Sequence, residues 1–258
     1  MKRIIIFLII FITIQPIFAQ MPNLVKSWSY NSAFLMRKGK YECGIFQPFR
    51  YGISNRVEIY GNILQMPLVP NAAVKINLAD PKGFYMASQF GFEYNTIMFN
   101  VFSKKGIGGL LSPQFTYSNM FTLSGTFLVT KQVFDTAFVT ARAGVVIGMR
   151  DGYLSPLSTI DLPIFYPRLS HLFNKCTIKL GADIKGKIVR RWSYMADFQF
   201  YIIPIKENNF FMEHTGTIMC ALGKNARLKG GYKLCFGDYP FGKQWNLLPV
   251  IDIVFGSK

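Results

Sequence analysis

Apolar and polar residues alternate at every second position along much of the chain. Between residues 136 and 149 every odd position is apolar, whereas the even positions include Thr140, Arg142 and two glycines. The segments 192–202 and 226–237 show the same pattern, with aromatic and aliphatic residues set against aspartate, lysine and arginine. Because successive side chains of a strand point to opposite faces, this period predicts β-strands with one apolar and one polar face.

The length of these segments and the composition of the chain favour a membrane barrel. The three segments contain 14, 11 and 12 residues, whereas ordinary strands average about 5–6 residues and a tilted membrane-crossing strand needs about 9–11. Half of all residues are hydrophobic and only 16% are charged, against about 25% in soluble domains. The apolar faces are therefore expected to contact lipid, with a soluble β-sandwich as the alternative.

Eleven candidate strands follow from the alternation. They span 41–49, 54–62, 72–79, 84–95, 114–129, 136–149, 176–186, 190–202, 210–222, 226–237 and 246–256. Since bacterial single-chain barrels have an even number of strands, a twelfth, weak strand is predicted within 25–36. The long connections 96–113 and 150–175 then share one end, and the short turns the other. The prediction is an all-β, up-and-down antiparallel transmembrane barrel of about 12 strands, with 10 as the alternative.

The first 19 residues have the features of an export signal. Two basic residues precede the apolar run 4–14, and Ala19 offers a small residue before a cleavage point. Eleven apolar residues are too few for a membrane-spanning helix, which needs about 20. We predict a cleaved signal peptide at 1–19 and an outer-membrane barrel at 20–258 in a Gram-negative cell, with an uncleaved anchor as the alternative.

The last predicted strand ends in a pattern that resembles the C-terminal signature of outer-membrane barrels. Its shared apolar face contains Leu247, Ile251, Ile253 and Phe255. The resemblance implies recognition by the outer-membrane barrel assembly machinery, although residues 256–258 displace the phenylalanine from the final position.

Three other stretches resemble a family of outer-membrane β-barrel proteins of Gram-negative bacteria. They are Gly44 to Gly52 (GIFQPFRYG), Pro70-Asn71 with Lys75, and Leu162-Pro163 with Tyr166-Pro167-Arg168. The resemblance covers most of the predicted mature chain. It supports the fold and the compartment, and it implies no activity.

Strand parity places both signs of charge on the predicted inner face. The basic members are Arg56, Lys75, Arg142, Lys179, Lys185, Arg191, Arg227, Lys229 and Lys233. The acidic members are Glu42, Glu58, Glu93, Asp183, Asp197, Glu213 and Asp252. Nearly balanced charge in a narrow interior favours ion pairs across strands. We interpret the set as a salt-bridged filling of a small barrel, with the lining of a selective channel as the alternative.

Most of the net charge of +16 must then lie in loops, turns and strand ends. Examples are Lys104, Lys105, Arg150, Arg168, Lys175, Arg190 and Lys206. Such a basic rim would attract membrane lipid headgroups and lipopolysaccharide phosphates. It could also gather small anionic solutes at a pore mouth. Nucleic acid is not an expected partner of an exported protein.

The sequence predicts no catalytic, cofactor or metal site. The residues two positions after His171 and His214, Phe173 and Gly216, carry no hydroxyl, so the nucleophile that a membrane-embedded lipase or deacylase needs beside its base is missing. A lipid-modifying enzyme is therefore the less favoured alternative to a passive role as a small pore or a structural envelope protein. Segment 96–113 could form an external cap, a short amphipathic helix or an inward constriction.

The four cysteines, Cys43, Cys176, Cys220 and Cys235, lack the spacing of a metal knuckle or redox motif. Cys220 and Cys235 lie at unequal distances from a turn near Lys224, so we do not expect them to face each other. We interpret all four as small core or wall residues, with disulfides, which export would permit, as the alternative.

Overall fold

The computed structural model describes residues 30–106, 110–155, 158–160, 162–204, 210–223, 225–239 and 242–257. The predicted signal peptide and its cleavage point lie outside these ranges. None of the helices within them is long and apolar enough to cross a membrane.

Within the described ranges the chain forms twelve strands, two short α-helices and a 3₁₀ turn at Pro81–Gly83. In chain order they are β1 (Tyr41–Gly44), β2 (Phe49–Gly52), β3 (Val57–Gly61), β4 (Asn71–Ala79), β5 (Phe84–Tyr94), α1 (Thr96–Phe102), β6 (Met120–Phe134), β7 (Ala137–Arg150), α2 (Tyr166–Asn174), β8 (Cys176–Val189), β9 (Trp192–Ile202), β10 (Phe210–Ala221), β11 (Ala226–Tyr239) and β12 (Gly242–Gly256). Each strand pairs with its neighbours in sequence, and β1 pairs with β12. The predicted antiparallel, up-and-down barrel of twelve strands is confirmed.

The twelfth strand is not where the sequence placed it. The predicted strand 41–49 is two strands, β1 and β2, because the chain reverses at 45–48. The carboxylate of Asp252 on β12 accepts hydrogen bonds from three successive backbone N–H groups of this turn, at 2.9, 3.1 and 3.0 Å. The described part of the predicted strand 25–36 is not a strand. Residues 30–36 lie inside the barrel instead, where side chains satisfy their backbone groups.

The connections are long at one end of the barrel and short at the other. The loop end carries the segments 62–70, 95–119 and 151–175, together with the tight turn 45–48. The turn end carries the connections 53–56, 80–83, 135–136, 190–191 and 222–225, and β12 finishes there. Gly83 has a φ of +81° in one of these turns, a conformation that costs glycine little.

The two faces of the strands differ as the alternation predicted. On β7, Val145 and Ile147 point outward and are 41% and 47% exposed, whereas Thr140 and Arg142 point inward and are buried. His214 lies on the outer face of β10, where its ring is 4.3 Å from Phe198 and 5.5 Å from Tyr232. The outside of the barrel is thus apolar and aromatic, and the inside is polar.

The cysteines lie at separate places in the barrel wall. Cys220 is in register with Leu228, and Cys235 is in register with Glu213. The prediction that Cys220 and Cys235 do not face each other is confirmed, and all four cysteines are free thiols.

Candidate functional site

The described residues form three clusters of ion pairs in the barrel interior. The first spans β1 to β4 around Glu58. Its buried carboxylate accepts two hydrogen bonds from the guanidinium of Arg50, both at 2.7 Å. Lys75 Nζ lies 3.6 Å from Glu58 Oε1, and Arg50 Nη1 lies 3.8 Å from Glu42 Oε1. Because a bidentate arginine–carboxylate pair fixes both geometry and charge, this cluster links the four strands where the wall is shortest.

The second cluster lies across β7, β8 and β9. Asp183 and Asp197 are directly opposed in the ladder, an arrangement in which like charges repel. Arg142 donates to both carboxylates, at 2.9 Å to Asp183 Oδ2 and also to Asp197 Oδ1. Lys185 Nζ lies 3.4 Å from Asp183 Oδ1. The guanidinium therefore compensates a repulsion that the strand register imposes.

The third cluster joins α2 to the wall. Arg168 of α2 donates to both carboxylate oxygens of Glu213 on β10, at 2.6 Å to Oε2. Lys233 of β11 donates to the same Oε2 at 3.0 Å. The Arg168 guanidinium also lies 5.7 Å from the centre of the Tyr201 ring. These contacts hold α2 within the loop end of the barrel.

Residues 30–36, the N-terminal plug, fill the turn end of the interior. Lys75 Nζ donates to the carbonyls of Ser32 and Phe34 at 3.1 and 3.2 Å, and Lys185 Nζ donates to the carbonyl of Tyr30. In the other direction, the plug's backbone N–H groups at 33 and 36 donate to Thr130 Oγ1 at 2.8 Å and to Glu58 Oε2 at 2.7 Å. Side chains of the wall thus take the place of a strand ladder.

The side chain of Phe34 anchors the plug to an apolar part of the inner wall. Its ring is 4.7 Å from that of Tyr85 and 5.2 Å from that of Phe138. Ala33 and Leu35 join the same buried cluster, with Ala87 and Leu128 of the wall. Burial of this cluster inside an otherwise charged interior fixes the position of the plug.

At the loop end, α2 packs into the barrel mouth against β6, β7 and β8. Gly148 makes the close approach possible, because a Cβ there would lie 2.3 Å from the carbonyl oxygen of His171. His171 Nε2 is 2.7 Å from Thr122 Oγ1, and Ser170 Oγ is 2.8 Å from Thr177 Oγ1. The helix is buried in the mouth rather than extended over it.

A cluster of apolar side chains covers the same end. Its members are Val69, Met98, Phe99, Leu111, Tyr117, Met120, Leu154, Ile160, Leu169 and Leu172. They come from the segment 62–70, from α1, from α2, from the loops between and from the first residue of β6. Of the three forms considered for segment 96–113, its described residues combine a short helix with a cap.

A cavity remains between the plug and the wall formed by β8 to β12. Its charged lining residues are Glu42, Lys185, Arg227 and Lys229. Arg227 lies 3.6 Å from Glu42 Oε2. Lys229 forms no hydrogen bond or ion pair with a described residue, and its partner in the ladder is Asp252, whose oxygens already bind the turn 45–48. Since Lys185 is paired with Asp183 and Arg227 with Glu42, the ammonium of Lys229 is the lining cation that is left to bind an anion.

Most of the charged residues that strand parity assigned to the interior lie inside the barrel in the structure. The three ion-pair clusters contain Glu58, Lys75, Arg142, Asp183, Asp197, Lys185, Glu213 and Lys233. The cavity is lined by Arg227 and Lys229, and the turn 45–48 is bound by Asp252. The inward faces of β5 and β8 carry Glu93 and Lys179. The assignments of Arg56 and Arg191 are wrong. Both are exposed in turn-end connections, because the strands begin at 57 and 192 and parity has no meaning outside a strand.

Two arginines that lie inside the barrel, Arg50 and Arg168, were not predicted there from the sequence. Arg50 lay beyond the predicted strand 41–49, so it received no face. Arg168 was predicted on the outer rim, and the structure corrects this because its guanidinium binds Glu213 inside the mouth. Alternation at every second residue applies to strands only, so it could not place Arg168, which lies on the helix α2. Of the other residues predicted on the rim, Lys104 and Lys105 follow α1 in the chain and are exposed.

The arrangement offers little to nucleophilic catalysis. Thr122 Oγ1 does contact His171, and it also accepts a hydrogen bond from Asn95 Nδ2 at 2.7 Å. However, all three residues are buried beneath the cap, at 3%, 2% and 1% exposure, where no substrate reaches the hydroxyl. Nor does any group of His, Cys, Asp and Glu in the described ranges have the geometry to hold a metal ion.

The burial of His171 predicts that the loop end loosens in acid. Desolvation, with a smaller contribution from the charge of Lys179, lowers the pKa of His171 to about 3. The docked imidazole stays neutral, so docking is fully stable above the ordinary pKa of about 6.5 and weakens as the pH falls from there toward 3. At pH 4.5 the amides of α2 should be about 100-fold less protected from hydrogen exchange than at pH 7.5, after correction for intrinsic rates.

His171→Gln is the control for this experiment, because the amide can bind Thr122 without titrating in this range. The variant should lose much less protection on acidification than the native protein. Equal losses in the two proteins would show that another group is responsible.

The chain is similar in structure to several outer-membrane proteins. With the outer-membrane channel DcaP of Acinetobacter baumannii it shares 8% identity and a TM-score of 0.41, over 81% of this chain and 62% of that one. With the KdgM porin in complex with disordered oligogalacturonate, the identity is 8% and the TM-score 0.44, over 85% of this chain and 97% of the porin. With a bacterial polysaccharide outer-membrane secretin, the identity is 8% and the TM-score 0.47, over 85% of this chain and 70% of the secretin. This chain thus spans about three fifths of the DcaP channel. No family model matches the sequence, and no curated protein is similar to it in sequence.

Proposed function

We propose that the protein spans the bacterial outer membrane as a monomeric barrel. The support is its outer surface, where large apolar side chains point outward from strands on every side. Phe90 on β5, Ile218 on β10 and Leu247 on β12 are 53%, 52% and 68% exposed. A continuous apolar surface of this kind is unfavourable in water and suited to the hydrocarbon core of a membrane, where a closed barrel leaves few backbone groups unpaired.

We propose further that the barrel is a small pore for anionic solutes, closed by the N-terminal plug in this conformation. The observation that carries the proposal is the cavity beside the plug, in which the half-buried Lys229 forms no hydrogen bond or ion pair with a described residue. Its ammonium can therefore bind a permeating anion. Since the plug is held by side chains and not by a strand ladder, it can leave without breaking the wall.

The cationic cavity predicts the ion selectivity of the pore. Channels formed by the refolded protein in a planar bilayer should prefer chloride to potassium, as read from the reversal potential in a salt gradient. Lys229→Glu replaces a positive by a negative charge in the cavity, so the preference should shift to cations.

Lys104→Glu is the matched control, because it makes the same change of net charge on an exposed loop residue far from the cavity. It should leave the reversal potential close to that of the native protein, since exposed charges are screened by salt within about 10 Å at 0.1 M. Equal shifts from both substitutions would contradict a selectivity set by the cavity.

A structural envelope protein is the second candidate, favoured by the closure of the interior at both ends. Under that proposal the barrel inserts and shows the heat-dependent gel shift of folded barrels, yet neither the native protein nor a variant with a released plug conducts ions. Conduction by the released variant decides between the two roles.

Two kinds of partner follow from the surface. The exposed ammonium groups of Lys104 and Lys105 at the loop end are placed to bind phosphates of lipid headgroups and of lipopolysaccharide. The outward face of β12, with Phe255 at 52% exposure, is the surface we propose for recognition by the barrel assembly machinery.

A further inference from the structure

The barrel wall is low on one side. The strands β1, β2 and β3 contain 4, 4 and 5 residues, whereas β4 to β12 contain 9 to 15. At about 3.3 Å per residue, four or five residues extend only about 13–17 Å. Tilted strands of that length cover about half of an apolar band that is about 25 Å tall.

The low wall leaves one edge of β12 without a neighbouring strand. β12 pairs with β11 from Gly242 to Phe255. On its other side, β1 pairs only with residues 254–256, and one further backbone hydrogen bond joins Ile45 N to the carbonyl of Ile253 at 3.3 Å. Among the described residues, no strand pairs with 242–252 on that side. Pro249 lies within this stretch, and its missing N–H is typical of an edge strand.

We call the space between this free edge and the segment 62–70, above β1 to β3, the wall notch. Apolar side chains surround it. Ile63, Leu64 and Met66 of the segment 62–70 are 53%, 55% and 43% exposed, and Ile45 and Phe46 at its base are 48% and 62% exposed. An acyl chain placed in the notch would contact these side chains.

The base of the notch is also the edge of the cationic cavity. Gln47, in the turn 45–48, lines the cavity and donates to Glu42. Lys229 and Arg227 line the same cavity, and the carboxylate nearest to Lys229 in the ladder, Asp252, is occupied by the turn. Exposed apolar side chains, those of Ile45 and Phe46, and a pocket with basic lining residues therefore meet at a single turn of the chain.

From this juxtaposition we infer that the solute is a single-chain amphiphile with an anionic headgroup, and that it binds from the side, through the wall notch. The alkyl tail lies against the apolar side chains of the turn 45–48 and of the segment 62–70, and the carboxylate or similar anion lies at Lys229 and Arg227. This inference rests on the proposed anion-selective pore and specifies its solute. It also accounts for a cavity that is covered at the loop end by α2 and at the turn end by the plug.

Equilibrium binding of radiolabelled dodecanoate to the refolded full chain in a nonionic detergent tests the inference. We expect one saturable site per protein. Lys229→Gln should weaken binding about tenfold or more, the loss typical of a hydrogen bond to a charged group, and Lys229→Arg should restore most of it. Lys243→Gln changes an exposed lysine at the loop end of the neighbouring strand β12, where it pairs with Asp238, and should have no effect. Dodecyltrimethylammonium, with the same tail and the opposite charge, should not compete.

The tail site has its own matched pair of variants. Leu64→Asn lies in the notch and should weaken dodecanoate binding, whereas Leu123→Asn on the outer face of β6 should not. The heat-dependent gel shift verifies that each variant is folded.

Three outcomes would overturn the inference: no saturable binding, equal binding of the cationic analogue, or equal losses from Lys229→Gln and Lys243→Gln. Each of these, found in a protein that still forms anion-selective channels, overturns the amphiphile site alone. Dodecanoate binding by a protein without selective conductance would overturn the pore and leave the site.

Discussion

Replacing Phe34 by alanine should raise the open probability of the pore about 100-fold. The ring of Phe34 is almost fully buried between Tyr85 and Phe138. Loss of a buried phenylalanine costs about 3–5 kcal/mol, and about 3 kcal/mol corresponds to a factor of roughly 100 in a two-state equilibrium. The loss falls on the docked plug and not on the barrel, because the strand ladder does not include Phe34.

Single-channel recordings in planar bilayers measure this effect directly. Phe34→Leu keeps most of the apolar volume and should change the open probability much less. Phe90→Ala, which removes an equal side chain from the outer face of β5, should leave it unchanged. If Phe34→Ala and Phe90→Ala behave alike, while both proteins insert and show the heat-dependent gel shift, then the plug does not gate the lumen.

Alternation was sufficient to predict the fold because the environment on each side of the wall is uniform. Along β7, β9 and β11 each residue meets either the apolar outside or the polar inside, and nothing interrupts the period of two. The rule failed at 41–49, where the alternation continues through a reversal of the chain. That reversal depends on Asp252, more than 200 residues away in sequence, and no local pattern records such a contact.

The site was only partly predictable for a related reason. Parity placed Glu58, Lys75 and Asp183 on the inside because they lie well within regular strands. It could not pair them, since pairing depends on the register between strands. A strand was predicted within 25–36 because eleven candidates needed a twelfth to give an even number. The sequence does not show that Lys75, Thr130 and Lys185 bind the backbone of residues 30–36 inside the barrel instead.

Replacing Arg142 by methionine should destabilise the barrel by about 3–5 kcal/mol, the usual effect of removing one partner from a buried ion pair. Without the guanidinium, Asp183 and Asp197 would oppose each other across the ladder in a medium of low polarity. Lys185, at 3.4 Å from Asp183, compensates only part of that charge. Urea unfolding of the protein in lipid vesicles, followed by tryptophan fluorescence, measures the change in the free energy of unfolding.

A second substitution shows whether the charge, and not the loss of packing, is responsible. If Asp183→Asn and Asp197→Asn are added to Arg142→Met, the uncompensated carboxylates disappear and most of the lost stability should return, since an apolar or neutral replacement of a whole buried ion cluster is often close to neutral. Arg191→Met removes an exposed arginine from a turn and should change stability by less than about 0.5 kcal/mol. A triple variant no more stable than Arg142→Met would mean that the barrel tolerates the two aspartates as charges. That result would indicate water inside the barrel beside β8 and β9. The lumen would then be wider than the ion clusters suggest.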